Sequence, residues 1–460
     1  MFCQLDRLRR CLSPRIRQAL EDLPETLGET YERTLLDIDD ENWAYAHRLF
    51  QCIVVAQRPL CVEELAEFLA FKSERGGSLT FDGKWRPENP RDAVLSTCSS
   101  LIAIVIVHGS PLIQFSHFSV KEYLTSSRIA EGGRVSRYYI PLEPAHLFVT
   151  QACLSFLLQL DKHVIKTTIE MFPLAQYAGR HWASHAEFGN VASDAEDLIK
   201  CLFNPENHHF ANWVWLYNTL SYRFMNLARP PHHITIPLHY AAQHGFHRVA
   251  EWLITTCSQG VNVMSGRRSI TPLHMSSEKG QFMVVQVLLT HRADTNARDA
   301  YNWTPLHFAS SNEHSKVVRL LLVHGADVNP KNIVGETPLY FLSKDSGNLE
   351  VAQVLLEHGA DPNTWSNVGE NSIYLALRNG YQGLAQLLIK YGANPNTRDV
   401  YGRTLLHMSC GNGHPKVAQG LLELNADVNA RDSQSRTPLQ VALQYDREEI
   451  AQILLQHGAT

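Results

Sequence analysis

Chemistry in this chain would begin at its histidines, lysines, serines and cysteines. His181 and His185 stand four residues apart, so a helix puts both on one face, as in a zinc-binding pair. A zinc peptidase of that type needs a Glu directly after the first histidine as general base; residue 182 is Trp, and no third ligand is evident. The pair therefore reads as surface or core histidines. Gly83-Lys84 is the only approach to a phosphate loop. The motif GxxxxGK[ST] asks for Gly at position 78, which is Ser, and for a magnesium-binding hydroxyl where Trp85 stands. No GxSxG nucleophile elbow occurs. Nine cysteines, at 3, 11, 52, 61, 98, 153, 201, 257 and 410, include no CxxC pair, which fits reduced thiols better than a disulfide framework or zinc cluster. No catalytic constellation emerges. We expect no enzyme activity, cofactor, metal or small-molecule substrate.

The bulk composition agrees with a binding role only by exclusion. A chain of 460 residues, 44% hydrophobic and 19% charged, is long enough for two to four globular domains. Its formal charge of −5 supplies no general attraction for nucleic acid or acidic membranes. The opening MFCQLDRLRRCL lacks the apolar core of a signal peptide. The longest aliphatic run, Leu101 to Val107, is about a third of a membrane span. A cytoplasmic protein that neither crosses a membrane nor binds nucleic acid is the expectation.

From about residue 232 the sequence copies itself. Pro237-Leu238-His239, Thr271-Pro272-Leu273-His274, Thr304-Pro305-Leu306-His307 and Thr337-Pro338-Leu339 recur at steps of 35, 33 and 33 residues. The series continues through Asn371, Thr404-Leu405-Leu406-His407 and Thr437-Pro438-Leu439 at 34, 33 and 33. A second marker follows in each unit after the first: HRADTN, HGADVN, HGADPN, YGANPN, LNADVN and a final HGAT. Thr304 can cap a helix with its hydroxyl, and Pro305 suits the first helical position, where no N–H is needed. His307 can reach loop backbone and tie one unit to the next. Val351, Val354 and Leu355 give the second helix an apolar face. Gly325, Gly359, Gly392 and Gly458 stand where that helix must end in a left-handed residue; Asn425 tolerates the conformation, and Arg292 adopts it at a cost of about 1 kcal/mol.

These registered copies resemble the ankyrin family over roughly half the chain. The resemblance implies a turn and two antiparallel helices per unit, stacked into a curved solenoid of about seven repeats: 232–266, 267–299, 300–332, 333–366, 367–399, 400–432 and 433–460. Two departures stand out. The fifth unit (NSIYLAL) has lost Thr-Pro, and the fourth carries a one-residue insertion near Lys344-Asp345-Ser346-Gly347. The stack is expected to be least stable between them.

Residues 1–231 do not repeat. Leu5 to Leu36 reads as two helices parted at Leu23-Pro24, and Leu5, Leu8 and Leu12 share a face. Helical blocks follow around Tyr45 to Ile53 and Val62 to Ala70; Lys72 to Pro90 reads as a loop; a short helix spans about Asp92 to Cys98; SLIAIVIV and PLIQFSHFS read as a β-hairpin, and a final helix starts near Val120. Helix, helix, helix and hairpin is the pattern of a winged helix, so the fold class expected is mainly α: an ankyrin-type solenoid preceded by a helical, winged-helix-like domain with a small hairpin. Glu63, Glu64 and Glu67 on the Val62–Ala70 helix would oppose DNA phosphates, and Lys84, Arg86 and Arg91 make too small a basic footprint.

QLDRLRRCL, LPETLGETYERTLL, HRLFQCIVVAQRPLCVEELAEFLA, FSHFSVKEYLTS and PLAQYAGRHWASHA are similar to fungal NACHT–ankyrin proteins, members of the STAND signalling NTPases. The resemblance implies a helical NACHT tail over 1–40, a winged-helix-like domain over 41–140, a helical connector over 141–231 and ankyrin repeats over 232–460. It implies a sensor or scaffold half of a signalling protein. The alternative is part of a nucleotide-gated switch whose P-loop core would precede residue 1. In that setting His117, within FSHFSVKEY, would touch the β-phosphate of ADP; otherwise it packs at the hairpin–helix junction and bonds backbone.

Ankyrin proteins bind partner proteins through the concave face and hairpin tips. Here those positions carry Arg298, Tyr301, Trp303, Lys331, Trp365, Arg398, Tyr401 and Arg403, residue types that bury area and still hydrogen-bond. Trp303 and Trp365 either serve as anchors or fold back onto the neighbouring unit.

Overall fold

The computed structural model describes residues 27–73, 79–98, 100–131, 133–160, 172–221, 236–367, 369–399 and 401–460. The expected helices around Leu5 to Leu12, the break at Leu23-Pro24 and position 78 lie outside the described residues. The chain divides into two units, Met1–Pro237 and Leu238–Thr460.

In the first unit, α1 (Leu27–Leu36) and α2 (Trp43–Val55) precede a two-residue strand, β1 (Leu60–Cys61), and α3 (Val62–Glu67). A small hairpin follows, β2 (Phe71–Ser73) with β3 (Leu79–Phe81), and then α4 (Pro90–Cys98). Strands β4 (Ile102–Val107) and β5 (Ser110–Phe115) pair antiparallel, with β1 on the far side of β5, giving the order β1-β5-β4. His108 and Gly109, at φ +49° and +83°, make the two-residue turn, the left-handed pair that matches strand twist. Helices α5 (Phe118–Leu124), α6 (Ser127–Ala130), α7 (Leu142–Leu158), α8 (Leu174–Ala186), α9 (Val191–Asp194), α10 (Glu196–Phe203) and α11 (His209–Ser221) complete the unit.

Two features differ from the sequence expectation. The stretch read as a loop begins with a hairpin because its aromatic residues find a core: Phe71 packs 5.1 Å from Phe81, which meets Phe156 of α7 at 5.6 Å. Polar residues of α7 and its C-cap serve the same hairpin, Ser155 Oγ donating to the Leu79 carbonyl at 2.7 Å and the capping Gln159 Nε2 to that of Phe81 at 3.1 Å. The acids of α3 also differ. Glu64 and Glu67 are buried, Glu64 against the Arg58 guanidinium and Glu67 against Arg86. They do not form an acidic outer face; their charge is matched inside the fold.

The second unit is a series of helix pairs. Among the described residues these are α12 (Pro237–His244) with α13 (His247–Thr255), α14 (Pro272–Glu278) with α15 (Phe282–Thr290), and α16 (Pro305–Ser311) with α17 (Ser315–Val323). Then come α18 (Pro338–Phe341) with α19 (Leu349–Glu357), α20 (Ser372–Arg378) with α21 (Gln382–Lys390), α22 (Leu405–Asn412) with α23 (Pro415–Glu423), and α24 (Pro438–Gln444) with α25 (Glu448–Gln456). The markers act as their chemistry requires. Thr271, Thr337, Thr404 and Thr437 accept backbone N–H groups of the first helical turn, and Asn371 does so where Thr-Pro is lost. Arg292 takes φ +64° at the position where Gly325 takes +86°. Val351, Val354 and Leu355 are buried, as are Val317, Val318 and Leu321 on the second helix of the preceding pair.

The one-residue insertion in the fourth unit becomes a π-turn. Helix α18 runs on into a wider turn over Leu342–Ser346, closed by Gly347 at φ +67°. An extra residue within a helix widens one turn to i→i+5 bonding, and the freed carbonyls need partners. The next unit supplies them: Asn379 Nδ2 donates to the Ser343 and Lys344 carbonyls, and Tyr381 Oη to that of Asp345.

Candidate protein-binding surface

Four hairpins of the second unit are each built around one short polar side chain. Asp299 Oδ1 accepts from the Tyr301 and Trp303 N–H groups at 2.9 and 2.7 Å. Asn332 does the same for Val334 and Glu336, Asp399 for Tyr401 and Arg403, and Asp432 for Gln434 and Arg436. This Asx turn fixes the loop backbone from within. The buried carboxylates are each paired with an arginine: Asp299 with Arg268, Asp399 with Arg403 and Asp432 with Arg436.

Neighbouring hairpins are joined tip to tip by one backbone hydrogen bond. Ala300 N donates to Arg268 O, Ile333 N to Tyr301 O, Asn367 N to Val334 O and Ser433 N to Tyr401 O, at 2.8 to 3.1 Å. Gly335 and Gly402 sit at these junctions with φ +78° and +70°; a Cβ on either would lie 3.0 Å from the next hairpin's backbone nitrogen. At the hairpin base an asparagine ladder repeats the linkage. Asn296 Nδ2 donates to Gly325 O while its Oδ1 accepts from Asp327 N, and Asn329, Asn363, Asn396 and Asn429 repeat both bonds.

Histidines make a third, buried row. Thr304 N donates to His307 Nδ1 at 3.1 Å, so Nδ1 is the acceptor and the Nε2–H donates to the Glu336 carbonyl, also at 3.1 Å. His274 and His407 repeat this toward Trp303 and Arg436. Burial lowers the pKa of all three, that of His307 to about 4. In the first pair Ile236 replaces the threonine, and His239 reaches Ile270 O with Nε2 while Nδ1 has no partner among the described residues. Tyrosines stand in for histidine in the fourth and fifth units: Tyr340 Oη donates to Glu370 Oε2 at 3.3 Å, and Tyr374 Oη accepts from Asn412 Nδ2 at 2.8 Å.

The residues singled out at the tips fall into different environments. Tyr301 and Tyr401 are 49% and 64% exposed. Arg298, Lys331 and Arg398 are exposed as well; Arg298 Nη1 donates to Lys331 O at 3.1 Å, and Arg398 leans likewise on Arg431 O. Arg403 is held by Asp399. Trp303 is half-buried, its ring 4.6 Å from Phe341 of the next unit and 5.2 Å from Phe308, with the Arg268 guanidinium 5.6 Å above it. Trp365 is half-buried in a β-bridge to Asn371 and stacks on no other ring among the described residues.

In the first unit His117 is exposed at the start of α5, its Nδ1 accepting from Ser119 N at 3.3 Å. His185, by contrast, is buried, and its partners fix its tautomer. Gln57 N donates to Tyr177 Oη (3.1 Å), which leaves the hydroxyl proton for His185 Nε2 (2.7 Å). His185 Nδ1–H then faces the unprotonated Nδ1 of His146 at 2.8 Å. Burial, then the neighbouring His146, lowers the His185 pKa to about 3. His181 packs its ring 4.9 Å from Tyr177 and is no partner in this chain of bonds. Among the described residues no three His, Cys, Asp or Glu side chains gather as a metal site, and no helix is long and apolar enough to cross a membrane.

Clamped hairpins, capped helix pairs and inter-unit ladders define an ankyrin-type solenoid, a non-catalytic protein–protein interaction fold, preceded by a helical region with a small β-hairpin. Residues 238–332, 329–399 and 396–460 match the family described as ankyrin repeats (3 copies). The chain is 32% identical over 295 residues to the azaphilone pigments biosynthesis cluster protein L of Monascus ruber, covering 60% of this chain and 61% of that one. The match therefore spans less than two thirds of that relative's length. Among solved structures, the ankyrin repeat domain of Bcl-3, an IkappaB-family member, aligns with 28% identity and a TM-score of 0.43, covering 48% of this chain and 98% of that domain.

Proposed function

We propose that residues 238–460 bind a protein partner along the hairpin tips and concave face, as the sensor or scaffold half of a cytoplasmic NACHT–ankyrin-type signalling protein. The seven helix pairs count as seven repeats in this reading. The observation that carries it is the row of exposed Arg298, Tyr301, Lys331, Arg398 and Tyr401 on loops whose backbone is clamped by buried Asx side chains. Rigid loops lose little entropy when a partner docks, so exposed Tyr and Arg on them convert contact area into affinity efficiently. Arg403 supports the surface through Asp399, and Trp303 supports it by packing on Phe341.

A winged-helix identity for residues 41–140 is favoured by the strand order β1-β5-β4 with α2, α3 and α4 interleaved. In the second reading, a nucleotide-gated switch, the exposed His117 is free to meet a phosphate presented by a P-loop core, which residues 1–460 do not contain. The test selects peptides from a displayed random library on the whole chain and competes them against a Tyr301→Ala, Tyr401→Ala double variant. Selected peptides should lose at least about 30-fold in affinity for the variant, the scale of two interface residues at 1 kcal/mol or more each. Peptides that bind both proteins equally would remove the tips from the reading.

A further inference from the structure

One register position on the hairpin ridge has its own pattern. The residue before each of the four clamps is Arg298, Lys331, Arg398 and Arg431, and Trp365 holds the same register in the hairpin between, so the steps are 33, 34, 33 and 33. The four cations are exposed, and among the described residues none of them forms an ion pair. This contrasts with Arg268, Arg403 and Arg436 in the same loops, which the buried aspartates neutralise. The tip-to-tip backbone bonds hold the column in register, and Tyr301, Val334 and Tyr401 make a parallel exposed column three residues further on. The middle of the cationic column is broken by Trp365.

We propose that this ridge takes an extended acidic peptide segment with an apolar residue at its centre, an inference that rests on the protein-binding reading above. Packed helical layers repeat every 8–10 Å, and a polyproline II strand returns a side chain to the same face every three residues, roughly 9 Å. An acidic residue at every third position thus meets successive cations. The fitting pattern is acid, acid, apolar, acid, acid, each separated by two residues, with the apolar side chain on Trp365. The pattern is symmetric, so it sets the segment's register and leaves its direction free. A nucleic acid backbone fits less well. Exposed Asp294, Asp327, Asp361 and Asp427 run parallel to the ridge, four residues before Arg298, Lys331, Trp365 and Arg431, and would repel a broad polyanion but leave room for a narrow strand.

The probe is a fluorescent peptide of thirteen residues with glutamate at its first, fourth, tenth and thirteenth positions, leucine at the seventh, and proline or alanine elsewhere. Anisotropy with the whole chain should show binding that weakens with salt. Arg298→Glu with Arg398→Glu should weaken it at least about fivefold, as expected for reversing two exposed pairs, with circular dichroism unchanged because both side chains are exposed. A same-composition peptide with its glutamates clustered should bind less tightly. Equal affinity for the two peptides, no binding of either, or tighter binding of a single-stranded oligonucleotide of equal charge would overturn the inference. Peptides selected from a random library that depend on Tyr301 and Tyr401 yet carry no acidic enrichment would remove this inference while leaving the protein-binding reading in place.

Discussion

His307 shows how one residue joins two units. Its neutral tautomer accepts from Thr304 and donates to Glu336, so protonation at Nδ1 breaks the cap while adding a buried charge. The folded pKa of about 4 lies below the ordinary value of 6.5, so the folded state binds fewer protons. Stability from this group is full above pH 6.5 and is lost as the pH falls toward 4, by about 3 kcal/mol at most. The midpoint of urea unfolding of the solenoid should drop across that window, and His307→Gln should flatten the drop. Trp303 and Trp365 should separate at the same scale. Trp303→Ala removes a ring packed on Phe341 and Phe308 and should cost about 2 kcal/mol, whereas Trp365→Ala should cost under about 1 kcal/mol in thermal unfolding. The caps and left-handed positions were legible in the sequence because each depends on a few adjacent residues. The His185–Tyr177–His146 chain was not, since His181 and His185 showed their helical spacing but nothing pointed to Tyr177, Gln57 or His146 as partners.

Among the elements, the π-turn over Leu342–Ser346 is the place where the solenoid's regularity is relaxed. Its carbonyls depend on Asn379 and Tyr381, and the Tyr381 ring lies so close that a Cβ on Gly347 would come within 2.5 Å of it. Asn379→Ala should destabilise the solenoid by about 1–2 kcal/mol and raise amide exchange in α18 and α20 more than in α14. Exchange in those helices no faster than in α14 would contradict a weak point between the fourth and fifth units. The sequence located the insertion by counting residues between markers, but its form needed the partner side chains from the next unit. The β2–β3 hairpin escaped because its flanks are polar, while Phe71, Leu79 and Phe81 acquire their strand character by packing near α7. Glu64 and Glu67 were misplaced for a similar reason: their arginine partners stand 6 and 19 residues away.

On the scale of the whole molecule, three ladders link units of the solenoid to their neighbours among the described residues: backbone bonds at four pairs of tips, asparagines at the base and histidines or tyrosines within. Such nearest-neighbour coupling makes stability spread along the array, and a defect in one junction weakens the ridge on both sides. Gly335→Ala, which forces a side chain into the left-handed region and against the Asn367 backbone, should cost roughly 1–3 kcal/mol and weaken partner peptides that span it. Repetition made this half of the chain readable from sequence, since one unit explains the others. The first unit had no such redundancy, and its packing is long-range.

The ridge itself is best examined by hydrogen exchange on the whole chain, with and without a library-selected peptide at saturation. Protection concentrated in residues 296–303, 329–336 and 396–403 is the outcome this account requires. Protection confined to the second helices of the pairs, or to residues 27–221 with the hairpins unchanged, would contradict it.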